Sequence, residues 1–514
     1  MGSRRARAAS EDDEPMLASS SSSSQDAEQG IDEADLEAAS ASLAMTVFAF
    51  LAPALGGLLF GLDIGATSGA IVSVKDATLS GTSWYGLSPV ESGLVVSASL
   101  FGALVGSAGG LTFGDRLGRK RELLLSALFY LSGAALMSTA PAFAPLVLGR
   151  AVYGTGIGFA MHGAPMYISE TAPSKYRGTL ISLKEGFIVG GILLGYVLGF
   201  SFAEVEGGWR YMWGASAPIA VAFALGMYLL PESPRWIMLR GLSRRTAAEA
   251  LGRLRGRSPS DPAVLAEVGR LDDKSNRGAS SESDALGNIV AGATALARNG
   301  KALYIGLSLM LFQQITGQPS VLYYATEIFQ KAGFGAGAES SGVAVILGVF
   351  KLLMTGVAVL TVDSLGRRPL LLGGVSGLTA SLLVLASLQG ALGFEPISSS
   401  FAAWSSVAAL LLYVGCYQVS FGPIAWLIVG EVFPVEVRSA AVGCATIVNF
   451  GANFLVSLVL PTVQSSIGQG NTYLIFAVFG TISVVSIAAT VPETKGKTLE
   501  QITALIRGSA ETRK

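Results

Sequence analysis

The sequence predicts an all-α membrane protein in which twelve transmembrane helices form two pseudo-symmetric halves of six helices each. Three observations support this fold class. Hydrophobic residues make up 51% of the 514 residues and charged residues only 14%, and glycine occurs 64 times, well above its usual share of about 7%. Twelve apolar segments approach or exceed the roughly 20 residues that a helix needs to cross a bilayer. Charged motifs of the first six segments recur in the last six.

Short connections separate the apolar segments, except between the sixth and the seventh. The segments cover residues 45–72, 92–113, 122–140, 145–168, 180–202, 211–230, 302–330, 341–362, 369–390, 402–430, 437–462 and 472–491. These ranges predict an N-terminal half over 43–231 and a C-terminal half over 302–491. A cytosolic tail is expected over 492–514.

Two longer polar stretches remain. Residues 1–42 combine arginines, a serine run and many acidic residues, so they are expected to form a disordered cytosolic tail. Residues 232–301 are predicted to be a cytosolic linker. Within the linker, 243–254 and 264–271 have the apolar spacing of short amphipathic helices, and 273–283 is expected to be irregular.

Lysine and arginine residues predict which side of the membrane each connection faces. They are concentrated in alternate connections, at Arg116, Arg119, Lys120, Arg121, Lys175, Arg177, Arg367, Arg368 and Arg438. The other connections contain little more than Lys75, Arg210 and Lys331. Because basic residues are enriched in cytosolic loops, both termini and the linker are predicted to be cytosolic.

Charged motifs recur between the two halves. GDRLGRKR at 114–121 recurs as DSLGRRP at 363–369, ETAPSKYR at 170–177 as EVFPVEVR at 431–438, and PESPR at 231–235 as PETKG at 492–496. The second and third pairs share an offset of 261 residues. A constant offset indicates duplicated halves related by an axis normal to the membrane.

The repeated charges are expected to form ion pairs at the cytosolic ends of the helices. They are Asp115, Arg119, Glu170 and Arg177 in the first half, and Asp363, Arg367, Glu431 and Arg438 in the second. One exposed pair contributes only about 0–1 kcal/mol, but a network can bias an equilibrium between two conformations. We expect these pairs to hold the outward-facing state. The alternative is that they are ordinary charges of cytosolic loops.

The stretch 311–324, LFQQITGQPSVLYY, is polar within an apolar span. It contains Gln313, Gln314 and Gln318 beside Gly317 and Pro319. A proline in a helix has no N–H and frees the carbonyl four residues earlier. Irregular backbone at membrane depth must be buried in protein or line a water-filled cavity. The stretch therefore predicts a broken helix at a polar cavity, the place where transporters bind substrates.

Ionisable residues also lie within other predicted spans. Asp63 is in the first span and Arg150 in the fourth. Since a charge at the membrane centre costs about 2.5–3.5 kcal/mol on insertion scales, each is expected to face the interior and to need a partner. His162 is expected to be a packed residue, with a proton relay as the alternative.

Two glycine series have the four-residue spacing typical of close helix packing in membranes. They are Gly102, Gly106 and Gly110 in the second span, and Gly191, Gly195 and Gly199 in the fifth. Each series is predicted to mark close packing of helices.

Taken together, these motifs resemble those of the sugar porter family of the major facilitator superfamily. The resemblance rests on the GRK and GRR pairs, PESPR, QQITG, the GPIAW of 422–426 and the paired E-x6-R motifs, and it covers about residues 45–500. Within the family, the chain most resembles the bacterial xylose/proton symporters and the plant vacuolar glucose transporter and xylose-symporter-like group. The resemblance implies proton-coupled transport of a glucose- or xylose-type monosaccharide by alternating access.

The resemblance further implies that Asp63 and Arg150 are partners and that Asp63 carries the proton. Proton-coupled sugar porters have Asp at this position, whereas glucose facilitators generally have Asn. Deprotonated Asp63 would hold Arg150, and protonation would release it. A static buried pair that only fixes packing is the alternative.

Candidate sugar-binding residues also follow from the resemblance. Paired glutamines suit hydroxyl groups because each amide donates and accepts hydrogen bonds, and a tryptophan face can stack on a sugar ring. The positions that match the family are Gln313, Gln314, Tyr323, Tyr324, Trp426 and Asn449.

Three departures from the family pattern leave the sugar undetermined. Gln318 and the proline after it replace the Ile-Asn of many relatives, so Gln318 or the Ile315 carbonyl is expected to replace the missing Asn. Glu185 replaces a family glutamine, and Phe450 stands where Trp is usual. Glu185 is expected to pair with adjacent Lys184; binding a sugar hydroxyl and titrating as a second group are the alternatives.

Composition and motif content argue against other functions. The net charge of −1 is unsuited to a nucleic-acid partner. Cys416 and Cys444 lie in apolar runs without disulfide or metal-ligand spacing. No nucleophile–base pair or phosphate-binding loop is visible, so neither an enzyme nor a cofactor is predicted.

The predicted partners are a monosaccharide, protons and the lipid bilayer, and the protein is expected to be monomeric. A facilitative sugar or polyol uniporter is the main alternative, followed by a non-transporting membrane sugar sensor. A vacuolar or plasma-membrane location is expected in preference to the plastid envelope.

Overall fold

The computed structural model describes residues 43–173, 177–278, 299–393, 399–433, 438–497, 501–502 and 505–506. At positions 43, 177–179, 181–182, 272–278, 363 and 438–440 it describes the backbone alone. The predictions made for 1–42, Lys175, 279–298 and 507–514 lie outside the described residues.

The described chain is helical. Membrane-crossing helices are called spans 1 to 12 in chain order. They are Leu43–Lys75, Pro89–Leu117, Arg119–Ser138, Phe143–Thr171, Arg177–Ser201, Gly208–Gly214 with Ser216–Leu229, Gly300–Ile315 with Gln318–Tyr323 and Ala325–Lys331, Ala338–Leu365, Arg367–Leu388, Ser400–Val419 with Phe421–Val432, Arg438–Ile467, and Gln469–Thr490.

Ten helices among the described residues are long and apolar enough to cross a membrane. Spans 3 and 7 fall outside this set for identifiable reasons. Span 3 begins with four charged residues, 119–122, and span 7 is broken into three short helices. Both lie in the packed bundle, where span 3 contacts span 4 and span 7 contacts span 11.

Both glycine series mark close helix packing, as predicted. A Cβ on Gly102 would stand 2.0 Å from the Ala151 carbonyl oxygen of span 4. On Gly191 it would stand 2.1 Å from the Leu58 oxygen of span 1. Because no side chain fits at these positions, spans 2 and 4, and spans 1 and 5, pack more closely than larger residues would allow.

Three short helices, Pro234–Leu239, Arg244–Arg255 and Pro262–Gly278, follow span 6. Their apolar faces form a small separate core that includes Ile237, Leu251 and Val264. Arg255 holds this unit to span 4 by donating to the Thr171 carbonyl at 2.9 Å. The prediction that 273–283 is irregular is wrong over 273–278, where the helix continues.

The repeated PE motif caps the first turns of spans 3 and 9. Before each span lies a glycine with positive φ, Gly118 at 93° and Gly366 at 92°. Glu232 accepts a hydrogen bond from the Lys120 N–H at 3.0 Å, and Glu493 accepts one from the Arg367 N–H at 3.1 Å. The two carboxylates therefore serve the orphan N–H groups of corresponding helix starts.

These two carboxylates differ in their electrostatic surroundings. Burial dominates at Glu232 and raises its pKa, although the backbone N–H groups oppose it. At the more exposed Glu493, burial also acts against the charge, but four backbone N–H donors outweigh it and lower the pKa. The charged form of the motif's carboxylate is therefore less favourable in the first half than in the second.

The two faces of the bundle are named by their charges. The basic face carries the starts of spans 3 and 9, and the opposite face carries the ends of spans 1 and 7. Near the opposite face the halves are joined by Lys75 and Glu327, at 3.3 Å, and by the hydroxyls of Ser68 and Thr326, at 2.9 Å. Span 2 also packs along span 11, and span 5 along span 8.

Candidate transport site

A buried ion pair joins spans 1 and 4. Asp63 is 1% exposed and Arg150 is not exposed, and the arginine Nη1 bonds the Asp63 Oδ1. Span 2 holds the guanidinium in place, because Nε donates to the Val95 carbonyl at 2.9 Å and Nη2 to the Ser99 hydroxyl at 2.8 Å. The partnership implied by the family resemblance is present in the structure, and its role in coupling stays a prediction.

The second carboxylate oxygen of the pair is incompletely satisfied. Asp63 Oδ2 is buried, and none of the described residues offers it a hydrogen bond. The guanidinium carbon lies 5.4 Å from the centre of the Trp213 ring, so an aromatic face covers the cation. The arrangement can therefore accept a proton at Oδ2 without first breaking a hydrogen bond to that oxygen.

Span 7 is broken where the sequence predicts. Gly317 adopts φ 86°, and a new helix begins at Gln318 with a proline in its first turn. The Tyr413 hydroxyl of span 10 donates to the Thr316 carbonyl at 2.7 Å. The Thr316 hydroxyl in turn donates to the Phe312 carbonyl at 2.9 Å. That the Ile315 carbonyl replaces the missing Asn ligand stays a prediction.

An amide cluster lies directly before the break. Asn449 of span 11 donates to Gln313 Oε1 at 2.5 Å, and Gln313 Nε2 donates to the Phe421 carbonyl at 2.6 Å. Gln314 Nε2 lies 3.4 Å from the same Gln313 oxygen. The cluster links span 7 to the break in span 10 and to span 11, all within the second half.

Several buried polar atoms of span 7 have no partner in the described parts of the chain. They are Gln314 Oε1, Gln318 Nε2 and the Tyr323 hydroxyl. An unsatisfied buried donor or acceptor costs about 1–3 kcal/mol, so such groups are candidates for contact with a ligand or water. Tyr324 differs, because its hydroxyl donates to the Ser457 carbonyl at 3.1 Å.

Two other candidates stand apart from the cluster. Trp426 is 37% exposed, and no described hydrogen bond or ring contact joins it to the amides. Glu185 and Lys184 are both half-buried and attract each other electrostatically, although the described residues show no direct ion pair between them. Phe450 is buried and packs against Phe60 of span 1 at 6.2 Å between ring centres.

Two buried charged groups were missed by the sequence analysis. Lys351 of span 8 is 5% exposed and donates to Gln418 of span 10 at 2.5 Å. Glu122 of span 3 is not exposed and lies 2.6 Å from Nδ1 of His162. The rule that singled out Asp63, a charge inside an apolar span, applies equally to Lys351 and would have found it.

The charged motifs of the basic face form ion pairs within each half. Arg119 contacts Asp115 at 2.7 Å and Glu170 at 3.4 Å, and Arg367 contacts Glu431 at 3.5 Å. The side chains of the remaining predicted members, Arg177, Asp363 and Arg438, lie outside the described residues. Their participation stays a prediction.

Known proteins are similar to this chain in sequence and in fold. The family model for sugar (and other) transporters matches residues 49–506. D-xylose-proton symporter-like 3, chloroplastic, of Arabidopsis thaliana is 50% identical over 477 residues, which cover 91% of this chain and 83% of that protein. The glucose transporter GlcP of Staphylococcus epidermidis is 34% identical over 454 residues, covering 88% and 95%.

Solved structures of a transporter are similar to this fold. The inward open conformation of the xylose transporter XylE from E. coli has a TM-score of 0.71 and 28% identity, covering 89% of this chain and 98% of that one. The same transporter bound to 6-bromo-6-deoxy-D-glucose, described as a proton:xylose symporter, has a TM-score of 0.70 and 28% identity, covering 90% and 99%.

A bundle built around a buried ion pair and a broken polar span defines a multi-pass membrane transporter of the major facilitator fold, with twelve spans in two halves, and not an enzyme. The chain belongs to the sugar transporter family of that superfamily. The predicted fold class and family are therefore confirmed.

Proposed function

We propose that the protein moves a monosaccharide of the glucose or xylose type across a membrane and that the transport is coupled to protons. The observation that carries this proposal is the buried pair of Asp63 and Arg150, in which one carboxylate oxygen lacks a described partner. A protonated Asp63 no longer neutralises Arg150, so protonation weakens the bond between spans 1 and 4 and favours rearrangement of the first half.

The sugar binds at the amide cluster. Gln313, Gln314, Gln318 and Asn449 supply donors and acceptors, and Tyr323 supplies a hydroxyl. Trp426, which is 37% exposed, would stack its ring on one face of the sugar. Unpartnered atoms at Gln314 and Gln318 support this assignment, since a hydroxyl-rich ligand would satisfy them.

The basic face is the cytosolic one, and both termini and the 232–301 linker lie on that side. Charged pairs on this face, including Arg119 with Glu170 and Arg367 with Glu431, belong to a network that holds the outward-facing state and separates when the cytosolic side opens. We place the monomeric protein in the vacuolar or plasma membrane. The chloroplastic relative makes the plastid envelope the competing location.

The test uses purified protein in liposomes, with uptake of labelled glucose and xylose measured with and without an imposed proton gradient. Wild type is expected to accumulate sugar when the gradient is imposed. The direction of the gradient that drives accumulation distinguishes symport from exchange. Asp63→Asn is expected to equilibrate sugar without accumulation. Ser99→Ala, which removes a ligand of Arg150 but no titrating group, is the matched control and should keep the gradient dependence.

A facilitative uniporter on the same fold is the second candidate, because a buried ion pair can also be purely structural. Sugar equilibration that is identical in wild type and Asp63→Asn and indifferent to the gradient would establish the uniporter. Absence of transport together with retained sugar binding would instead support a sensor.

A further inference from the structure

A buried carboxylate and the only histidine of the sequence form a pair between spans 3 and 4. Glu122 is not exposed, its Oε1 lies 2.6 Å from Nδ1 of His162, and the histidine side chain is 15% exposed. On span 4, His162 follows Arg150 by 12 residues, about 18 Å along the helix axis. The pair is therefore separate from the coupling pair of Asp63 and Arg150.

The backbone of span 2 encloses this pair. A Cβ on Gly110 would stand 2.9 Å from Glu122 Oε1 and 2.9 Å from His162 Cγ. A Cβ on Gly114 would stand 2.9 Å from Glu122 Oε2 and 3.0 Å from His162 Cε1. The two glycines thus leave room for a carboxylate and an imidazole ring packed together, and a larger residue at either position would displace them.

The charge of the pair is incompletely satisfied. Glu122 Oε2 is buried without a partner among the described residues. An ionised carboxylate only accepts hydrogen bonds, so Nδ1 of His162 must be the donor to Oε1. A buried charge needs a full partner, and a neutral imidazole supplies one hydrogen bond but no opposite charge. A proton added to the other ring nitrogen, Nε2, would supply that charge.

We propose that His162 and Glu122 form a proton-binding site that is distinct from Asp63. In the empty site a neutral imidazole donates from Nδ1 to the carboxylate, and the net charge is negative. The bound proton adds to Nε2 and the bond from Nδ1 is kept, so the site becomes a neutral imidazolium–carboxylate pair. Histidine is the side chain whose ordinary charge change falls between about pH 5 and pH 8, so such a site responds to physiological pH.

The site adjoins the ion pairs of the basic face. Glu122 lies one turn beyond Arg119 on span 3, and its carboxylate attracts that guanidinium. On span 2, Gly114 lies against the Glu122 and His162 side chains, and the next residue, Asp115, accepts a hydrogen bond from Arg119 at 2.7 Å. The same turn of span 2 therefore contacts the proton-binding site and the ion pair.

Charged groups from each neighbouring element act on Arg119. They are Asp115 of span 2, Glu122 of span 3, Glu170 of span 4 at 3.4 Å, and Glu232 of the linker. A bound proton cancels the attraction of Glu122 alone. Arg119 is then held less strongly, which favours opening of the basic face. This consequence rests on the proposed function, whereas proton binding itself does not.

The first measurement is an NMR titration of protein with isotope-labelled histidine, purified without a histidine tag and held in lipid nanodiscs without sugar. Since the sequence has one histidine, one signal reports it. We expect this signal to change between about pH 5 and pH 8. Glu122→Gln should bind the proton about tenfold more weakly or less tightly still, because it removes the charge that faces the imidazolium.

The matched control is Glu170→Gln, which removes a carboxylate that contacts Arg119 but not His162. Its proton affinity should be nearly that of wild type. A histidine signal that stays in one state across the range would overturn the inference, and this result needs no variant that folds. Equal proton affinity in wild type and Glu122→Gln would overturn it as well.

The second measurement follows opening of the basic face. Spin labels are placed at Leu229→Cys and Leu365→Cys, which are exposed positions at the ends of spans 6 and 8 in different halves. The background carries Cys416→Ser, Cys444→Ser and Asp63→Asn, so that the coupling carboxylate does not contribute. Lowering the pH from about 8 to about 5 should raise the population with separated halves by up to about fivefold.

Addition of His162→Asn to that background should abolish the rise, because the amide keeps a donor near the position of Nδ1 but does not titrate. An equal rise with and without His162→Asn would overturn the link to the basic face. A site that binds its proton in protein that takes up no monosaccharide would overturn the proposed function and support the site, so the two failures are distinguishable.

Discussion

Lys75 at the end of span 1 and Glu327 in span 7 form an ion pair across the two halves at the opposite face, with 3.3 Å between Nζ and Oε2. Glu327 also pairs with Lys331 of its own span at 3.0 Å. One carboxylate thus carries a contact between the halves and a contact within one half. The contact between Lys75 and Glu327 can form only while the opposite face is closed. In this structure the opposite face is closed at that contact.

Removing the contact between the halves is expected to favour opening of the opposite face. A half-exposed pair contributes about 0–1 kcal/mol, so Lys75→Met should raise the open population by at most about fivefold. Spin labels at Tyr85→Cys and Ala336→Cys, in a Cys416→Ser, Cys444→Ser background, report the distance across this face. Lys331→Met is the control, since it removes the pair within span 7, and an equal shift in both variants would contradict the prediction.

The amide cluster makes a prediction about binding rather than conformation. Asn449→Leu removes an amide from the cluster and leaves Gln313 Oε1 with only the longer contact from Gln314 Nε2, at 3.4 Å. If Asn449 binds the sugar, its loss removes a hydrogen bond worth about 0.5–1.5 kcal/mol, so the apparent KM for sugar should rise by up to about tenfold. Asn449→Gln keeps an amide, so its apparent KM for sugar should rise less than that of Asn449→Leu. A turnover defect with unchanged KM in Asn449→Leu would argue against a binding role.

Much of this organisation could be predicted from sequence because it depends on local pattern. Apolar length gave the spans, and the polar residues around Gly317 gave the break in span 7. The glycine spacing predicted the close packing of spans 2 and 5, because glycines repeated on one helix face let a neighbouring helix approach closely. Asp63 and Arg150 were identified because isolated charges in lipid need partners.

Other features could not be predicted because they depend on which helices meet. Nothing in the local sequence places Gln418 beside Lys351, or the Tyr413 hydroxyl at the Thr316 carbonyl, since these residues are brought together by helix packing. The role of the repeated PE motif was missed for a similar reason. Glu232 reaches a helix start 112 residues away, a distance that no capping pattern reveals.

Neighbouring glycines in span 5 should respond differently to the same substitution. A Cβ on Gly191 would overlap the Leu58 carbonyl oxygen at 2.1 Å, whereas a Cβ on Gly190 would meet nothing within 4 Å. Gly191→Ala must therefore separate spans 1 and 5, and it should lower the melting temperature in detergent by several degrees, since overpacking costs about 1–3 kcal/mol. Gly190→Ala should leave it nearly unchanged, and equal effects would contradict the packing described.

Removal of the paired helix caps should also destabilise the protein. Glu232→Ala leaves the Lys120 N–H without its described acceptor, and loss of a helix cap typically costs about 0.5–2 kcal/mol. Glu232→Gln keeps an acceptor oxygen and removes a charge that burial disfavours, so it should retain wild-type stability or exceed it. A melting curve for Glu232→Gln that matches Glu232→Ala would show that the charge, and not the hydrogen bond, matters.

His162, the only histidine in the sequence, lies with its Nδ1 2.6 Å from Glu122. Glu122 is fully buried, and its second oxygen has no partner among the described residues. His162→Ala removes the donor and leaves a buried carboxyl group to be satisfied by water or by protonation, so it should cost several kcal/mol of stability.

Replacing both partners is expected to cost less than replacing the histidine alone. The double variant His162→Ala, Glu122→Leu removes the unsatisfied carboxyl group together with its donor, and apolar replacement of a buried polar pair can be nearly neutral. The thermal stability of the double variant should therefore lie above that of His162→Ala. Additive losses from the two substitutions would show that His162 and Glu122 contribute through packing with other residues, because independent sites add and directly coupled sites do not.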